Sequence, residues 1–184
     1  QPDLNWRNPG VRAAMHEVLR FWLRRGVDGF RVDVIWHLMK DPDLTDNPPN
    51  PNFREGQSDI NRLLQTHSAD HPDILAIVAG LRAVLDEYPA AASVGEVGDS
   101  KRGLVVVASY TSGSARVHMC YAFDFLAPEK ISAKNVRTVL ERFGEVASDG
   151  WSCWAFSNHD VVRHATRWAA GERDPAAYLK VISA

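Results

Sequence analysis

The chain contains 184 residues, of which 45% are hydrophobic and 24% charged, and its formal net charge is −2. This is the composition of an ordinary globular protein, and a charge so close to neutral offers no basic surface for a nucleic acid. The apolar runs are far shorter than the roughly 20 residues of a membrane span, so no membrane partner is expected. Two cysteines without paired spacing predict neither a zinc site nor a disulfide scaffold, and they favour a reducing cytoplasm.

The first predicted element is a helix. Asn8 can cap it, Pro9 suits its first turn, apolar residues follow at helical spacing, and Gly26 ends it. Residues 27–35 are rich in β-branched side chains and predict a buried strand. Prolines among Asn and Asp residues then predict a long loop over residues 38–71, either functional or disordered.

Helices and strands alternate after this loop. Residues 72–88 have helical spacing before Pro89, and residues 91–97 predict a short strand. Residues 101–110 hold three consecutive valines, but a parallel sheet needs a crossover here, so we predict a helix. The remaining predictions are strands at 116–125 and 151–156, a helix from near Ser132, and a last helix from Asp174.

This order of elements requires a parallel sheet with right-handed crossovers, in a barrel or a doubly wound sheet. A nucleotide-binding sheet is disfavoured, because Gly95 and Gly98 flank Glu96 without the spacing of a phosphate-binding loop. A complete (β/α)₈ barrel takes about 250 residues, whereas this chain supplies four predicted strands. With no starting Met and an end inside a predicted helix, it is expected to be about half of a barrel, cut at both ends.

Three acidic residues, Asp33, Glu96 and Asp160, follow predicted strands. In a parallel barrel the carboxyl ends of the strands share one rim, so the three carboxylates are expected to face one substrate. Arg31 lies two residues before Asp33 and points to the same side, which favours an ionised Asp33 that can act as a nucleophile. Glu96, near other acids, suits a general acid.

Each of these residues also has a structural interpretation. An Asp at a strand end more often caps the next helix, and an Arg-x-Asp pair is more often a structural ion pair. His159 is as readily structural as functional. The repetition at three successive strands nevertheless favours a shared site.

Three segments resemble motifs of the α-amylase family, glycoside hydrolase family 13. Residues 28–37, DGFRVDVIWH, resemble its strand-four motif, residues 93–96, SVGE, its strand-five motif, and residues 156–160, FSNHD, its strand-seven motif. Residues 1–5, QPDLN, resemble a signature of the oligo-1,6-glucosidase and α-glucosidase branch. The resemblance covers essentially the whole chain and implies strands four to seven of a (β/α)₈ TIM barrel.

The resemblance implies a role for each site residue. Asp33 is the nucleophile, Glu96 the acid/base, and Asp160 the carboxylate that stabilises the transition state through sugar hydroxyls. The expected substrate-binding residues are Arg31, which orients Asp33, His159, which contacts the glucose in subsite −1, and Arg163, which helps to hold the terminal glucose.

The same resemblance implies that residues 1–184 form a partial catalytic domain. Strands one to three, the body of domain B, strand eight and the C-terminal domain are expected to lie outside it. No cofactor is expected, although calcium is possible in the missing parts. The chain alone is expected to be inactive and poorly soluble, because half a barrel exposes two sheet edges.

The implied function is a retaining α-glucosidase that releases terminal glucose from an α-glucoside disaccharide or oligosaccharide. Two alternatives remain: a transglycosylase or isomerase on the same scaffold, such as a trehalose synthase or sucrose isomerase, and a catalytically silent relative that acts as a binding subunit. The three carboxylates argue against the silent relative. The sequence leaves open the linkage, the chain length, calcium dependence and the oligomeric state.

Overall fold

The computed structural model describes residues 3–99, 102–126, 131–169 and 174–183. The chain divides into two compact units, the first formed by Gln1–Glu96 with Ser114–His118 and the second by Val97–Gly113 with Met119–Ala184. The first two residues of the QPDLN motif lie outside the described residues. No helix in the described part of the chain is long and apolar enough to cross a membrane.

The first unit opens with helix α1, Pro9–Leu23, as the sequence predicts. The helix ends just before Gly26, whose φ of +88° lies in the left-handed region that glycine adopts readily. Two members of its predicted apolar face, Val18 and Trp22, are 43% and 45% exposed. The helical spacing therefore predicts the element correctly without predicting how much of that face is covered.

The start of α1 carries the predicted cap. Oδ1 of Asn8 accepts a hydrogen bond from the N–H of Gly10 at 2.8 Å. We expect Asn8→Ala to lower the free energy of unfolding by about 1 kcal/mol, because one N-terminal N–H loses its acceptor. Urea denaturation of the complete gene product measures this change. Asn8→Ser is the control, since serine can still cap the helix, and an equal loss in both variants would contradict the capping role.

Two parallel strands follow, β1 at Gly29–Val32 and β2 at Ala92–Val97. Gly29 pairs with Ala92, and a Cβ on Gly29 would lie 2.1 Å from the carbonyl oxygen of Ala92. A larger residue would push the strands apart at this point. The close approach explains why glycine stands inside this strand.

The predicted strand over residues 27–35 is too long. β1 ends at Val32, Val34 adopts a left-handed conformation with φ of +38°, and Ile35–His37 forms a 3₁₀ turn. A β-branched residue disfavours this conformation, so the propensity that predicts the strand fails here. The turn separates the strand from the long loop.

Residues 38–71 form the predicted long loop, with one 3₁₀ turn at Asp59–Arg62 and an isolated antiparallel bridge between Pro49 and Leu63. Helix α2, Ile74–Leu85, follows as predicted. Its inward face packs with α1, since Leu23, Val84 and Leu85 are buried together, with further contacts from Leu19, Phe30, Tyr88 and Ala91. This apolar cluster holds the two helices against β1.

The second unit contains helix α3 at Gly103–Thr111 and strand β3 at Met119–Ala122. The valine run is helical as predicted, with Val106 and Val107 buried while Val105 is 47% exposed. Burial on most sides lets a β-branched run remain helical, because packing outweighs intrinsic propensity. The other helices of this unit are α4 at Ala133–Val146, α5 at His164–Ala169 and α6 at Pro175–Ser183.

Two further strand predictions need correction. The strand expected over residues 116–125 shrinks to β3, and the strand expected over 151–156 is reduced to one parallel bridge between Ser152 and Cys120. The described residues therefore contain three strands, not four. Helix α5 is not predicted, because six residues are too short to show a helical period.

Candidate active site

The end of β1 places two charged side chains together. Arg31 lies within the strand and Asp33 directly after it, and Nη1 of Arg31 is 2.5 Å from Oδ1 of Asp33. The Asp33 side chain is 68% exposed, so its carboxylate is accessible to a molecule from solvent. The alternation of side chains along a strand predicts this pairing, and the structure confirms it.

A second carboxylate reaches the same guanidinium from β2. Glu96 is only 3% exposed, and its Oε2 lies 2.8 Å from Nη2 of Arg31. The register of the two strands explains why both carboxylates reach Arg31. Val32 pairs with Gly95, and the residue that follows each is acidic. Arg31 thus binds an exposed carboxylate with one nitrogen and a buried carboxylate with the other.

Glu96 also accepts a hydrogen bond from the main chain. The N–H of Val34 donates to Oε2 of Glu96 at 3.1 Å. Oε2 therefore receives two donors, one from a guanidinium and one from an amide. The sequence does not reveal this contact, because its β-branched residues continue through residue 34 and no glycine marks the turn.

The shared guanidinium makes Glu96 depend on Arg31. We expect Arg31→Leu to lower the free energy of unfolding by about 2 kcal/mol, because a buried carboxylate loses its charged donor. Urea denaturation of Arg31→Leu, Glu96→Gln and the double variant, each in the complete gene product, measures the coupling. The double variant should lose less than the sum of the single changes, whereas simple additivity would contradict the pairing.

Contacts at the base of the long loop position the turn that follows β1. Lys40 Nζ donates to the carboxylate of Asp3 and to the carbonyl of His37. Arg7 donates to the carbonyl of Lys40 and to the Asp73 carboxylate, each at 2.7 Å. Partial burial opposes ionisation of Asp3, but hydrogen bonds, chiefly from Lys40, hold the pKa of Asp3 below its usual range. The segment that carries the QPDLN motif thus anchors both ends of the loop.

The second unit carries the other predicted site residues on the segment before α5. His159 and Asp160 are 71% and 63% exposed, with Nε2 of His159 3.6 Å from Oδ1 of Asp160. Oδ1 of Asn158 accepts from the N–H of Asp160 at 3.0 Å. Arg163 is exposed and its carbonyl accepts N–H groups of α5. These residues form a solvent-accessible polar segment.

An arginine that the sequence analysis does not single out holds this segment. Arg167 donates to the carbonyl oxygens of Phe156 at 2.5 Å, Val162 at 2.7 Å and Leu126 at 3.1 Å. Its guanidinium therefore contacts the chain on both sides of His159 and Asp160. A single arginine gives no periodic or motif signal, so only the structure shows this role.

The structure thus brings together Arg31, Asp33 and Glu96 in the first unit, and His159 with Asp160 in the second. A single rim for all three carboxylates stays a prediction. In the part of the chain that the structure describes, no group of three or more His, Cys, Asp or Glu side chains could hold a metal ion. The arrangement in the first unit offers carboxylate chemistry, with an exposed anion beside a buried carboxyl group.

Comparison with known proteins identifies the family of this fold and site. Residues 1–183 match the family described as Alpha amylase, catalytic domain. The chain belongs to the alpha-amylase family. The α/β architecture with parallel strands is that of solved alpha-amylase family structures, including a family GH13_31 enzyme with a TM-score of 0.72 and 26% identity, covering 90% of this chain and 31% of that chain.

Several α-glucosidases are among the alpha-amylase family relatives. A probable alpha-glucosidase of Rhizobium meliloti is 48% identical over the whole chain, and an alpha-glucosidase of Schizosaccharomyces pombe is 33% identical, also over the whole chain. The chain covers 34% and 33% of these relatives, so it spans about a third of their length. The alpha-glucosyl transfer enzyme XgtA is 39% identical with a TM-score of 0.87, covering all of this chain and 35% of that chain.

Proposed function

We propose that this chain carries the central catalytic residues of a retaining α-glucosidase. The observation that carries the proposal is the guanidinium of Arg31, which binds the exposed carboxylate of Asp33 and the buried carboxylate of Glu96. Retaining glycosidases need two such carboxyl groups, about 5 to 5.5 Å apart, one to attack the sugar and one to transfer a proton. The similarity to named α-glucosidases supports α-glucosides as the substrates.

The proposed reaction has two displacements. In the first, an oxygen of Asp33 bonds to the anomeric carbon while the glycosidic bond breaks and Glu96 gives its proton to the leaving oxygen. In the second, water gives a proton to the Glu96 carboxylate and its oxygen bonds to the anomeric carbon, which breaks the ester to Asp33. Two inversions return glucose with the α configuration.

In the first step Asp33 attacks the sugar and Arg31 orients Asp33. The positive charge beside Asp33 favours the anionic form that attacks, and the ion pair fixes the direction of the attacking oxygen. The 68% exposure of Asp33 leaves it open to a sugar ring. Arg31 is therefore an orienting group for the nucleophile as well as a partner of Glu96.

For the second unit, we propose roles that follow the family's strand-seven motif. Asp160 accepts hydrogen bonds from sugar hydroxyls and stabilises the transition state, His159 contacts the same glucose, and Arg163 contacts the non-reducing end. Their exposure supports these roles, because polar groups that bind a sugar must be reachable from solvent. The matching motif order further supports strands four to seven of the barrel as the location of these elements.

Transfer of glucose to another sugar is the second candidate, and the 39% identity to an alpha-glucosyl transfer enzyme favours it. Both reactions share the glucosyl intermediate on Asp33 and differ in whether water or a hydroxyl attacks it. The test is to incubate the complete gene product with maltose, isomaltose and sucrose, each over a range of concentrations, and to separate the products. Release of the component monosaccharides alone indicates hydrolysis, and longer or rearranged saccharides indicate transfer. If no substrate gives either kind of product, both candidate functions are wrong.

A further inference from the structure

The residue after the proposed nucleophile has a strained backbone. Val34 adopts φ of +38° and ψ of +47°, a left-handed conformation that is unfavourable for a non-glycine residue and especially for a β-branched one. The Val34 side chain is 40% exposed, so close packing of that side chain does not account for the strain. Strained backbone of this kind persists where the surrounding structure imposes it, and it is concentrated at functional sites.

Val34 contacts the carboxyl group of Glu96, the proposed acid. The pairing of β1 with β2 ends at Val32 and Gly95, so the amide of Val34 lies beyond the strand ladder. This N–H donates to Oε2 of Glu96, the oxygen that also binds Arg31. A main-chain donor cannot rotate as a side chain does, so it fixes the carboxylate more rigidly than a flexible partner would.

We propose that Val34 is a positioning residue, whose main-chain N–H acts with Arg31 to hold Oε2 of Glu96. Two donors on Oε2 fix the orientation of the carboxyl group, and proton transfer to the leaving oxygen requires a fixed orientation. The inference rests on the proposed function, since it concerns the acid step of that reaction.

The test removes the N–H without changing the side chain. In the complete gene product, residue 34 is replaced by the α-hydroxy acid analogue of valine, which converts the amide to an ester. The readout is kcat/KM for phenyl α-glucosides with a para-nitro or a para-methyl group. These substrates have nearly the same shape, but the methyl compound has the poorer leaving group and depends more on proton donation.

The expected result is a selective loss. The ester at position 34 should lower kcat/KM for the para-methyl substrate about tenfold more than for the para-nitro substrate, since the hydrogen bond that holds Glu96 in position for proton transfer is lost. The matched control is the same change at Leu44, another left-handed residue, whose N–H donates to the carbonyl of Asp41. That control should leave the ratio of the two substrates unchanged. Equal losses on both substrates with the ester at 34 would overturn the inference.

A glycine variant keeps the test decisive if the ester protein folds poorly. Val34→Gly retains the N–H and adopts the left-handed conformation without strain, so the substrate ratio should stay at the wild-type value. A selective loss in Val34→Gly would overturn the inference, because it would assign the effect to the side chain. Glu96→Gln distinguishes failure of the proposed function from failure of the positioning role. If Glu96→Gln does not lower kcat/KM more for the para-methyl substrate than for the para-nitro substrate, the proposed function is wrong. If Glu96→Gln shows this larger loss and the ester at position 34 does not, only the positioning role is wrong.

Discussion

Asp33→Ala in the complete gene product is expected to lower kcat for maltose by about four orders of magnitude. The change removes the group that forms the covalent bond to glucose, and loss of a nucleophile is among the most damaging single changes in an enzyme. Asp33 is 68% exposed, so the variant should fold. Glucose release is the measurement, with circular dichroism to confirm the fold.

The matched control for this variant is Asp43→Ala, which removes an exposed carboxylate from the long loop. It should keep wild-type activity. Addition of azide to Asp33→Ala should restore part of the turnover and yield β-glucosyl azide, because azide attacks from the face that the carboxylate has vacated. Near-normal glucose release by Asp33→Ala would contradict the assignment of the nucleophile.

Glu96→Gln is expected to lower kcat/KM for maltose by about three orders of magnitude, because the amide cannot give a proton to the leaving oxygen. The volume of the side chain is nearly unchanged, so its buried site should not collapse. The loss should be much smaller for a para-nitrophenyl glucoside, whose leaving group needs little protonation.

The control for Glu96→Gln is Glu55→Gln, a change of the same kind at an exposed loop residue. It should affect neither substrate. If Glu96→Gln lowered kcat/KM for maltose and for the nitrophenyl glucoside by the same factor, the acid role would be wrong.

The sequence predicts the long helices well because their signals are local. Asn8 and Ser132 each accept a hydrogen bond from an N–H in the first turn of the helix they precede, as their positions before the apolar patterns indicate. The valine run of α3 is the harder case, since propensity alone favours a strand. It is assigned correctly only because the parallel sheet requires a crossover there.

The strand ends are less predictable, because they depend on tertiary contacts. Nothing in the apolar run over 27–35 shows that Val34 turns left-handed, since that turn accompanies a contact with Glu96, 62 residues away in the chain. The paired strand expected over 151–156 is reduced to the bridge at Ser152. Local propensity reports a preference for extended backbone and carries no information on whether a partner strand lies alongside.

The sequence predicts which residues form the candidate site in the first unit, but it does not predict their detailed contacts. The spacing of Arg31 and Asp33 predicts their ion pair, and strand order predicts that Glu96 comes to the same edge. The sharing of one guanidinium by both carboxylates depends on the register of β1 and β2, which the sequence leaves open. The anchoring of the 156–162 segment by Arg167 is likewise visible only in three dimensions.

Asp33 is expected to become covalently bonded to glucose, and trapping of that intermediate shows the bond directly. The complete gene product is incubated with 5-fluoro-α-glucosyl fluoride. This reagent forms the glycosyl ester with the enzyme quickly, and the ester is then hydrolysed slowly. The protein is then digested and its peptides are analysed by mass spectrometry. We expect one added fluoroglucosyl group on the peptide that contains Asp33. A label on any other residue, or an inactive enzyme without a label, would contradict it.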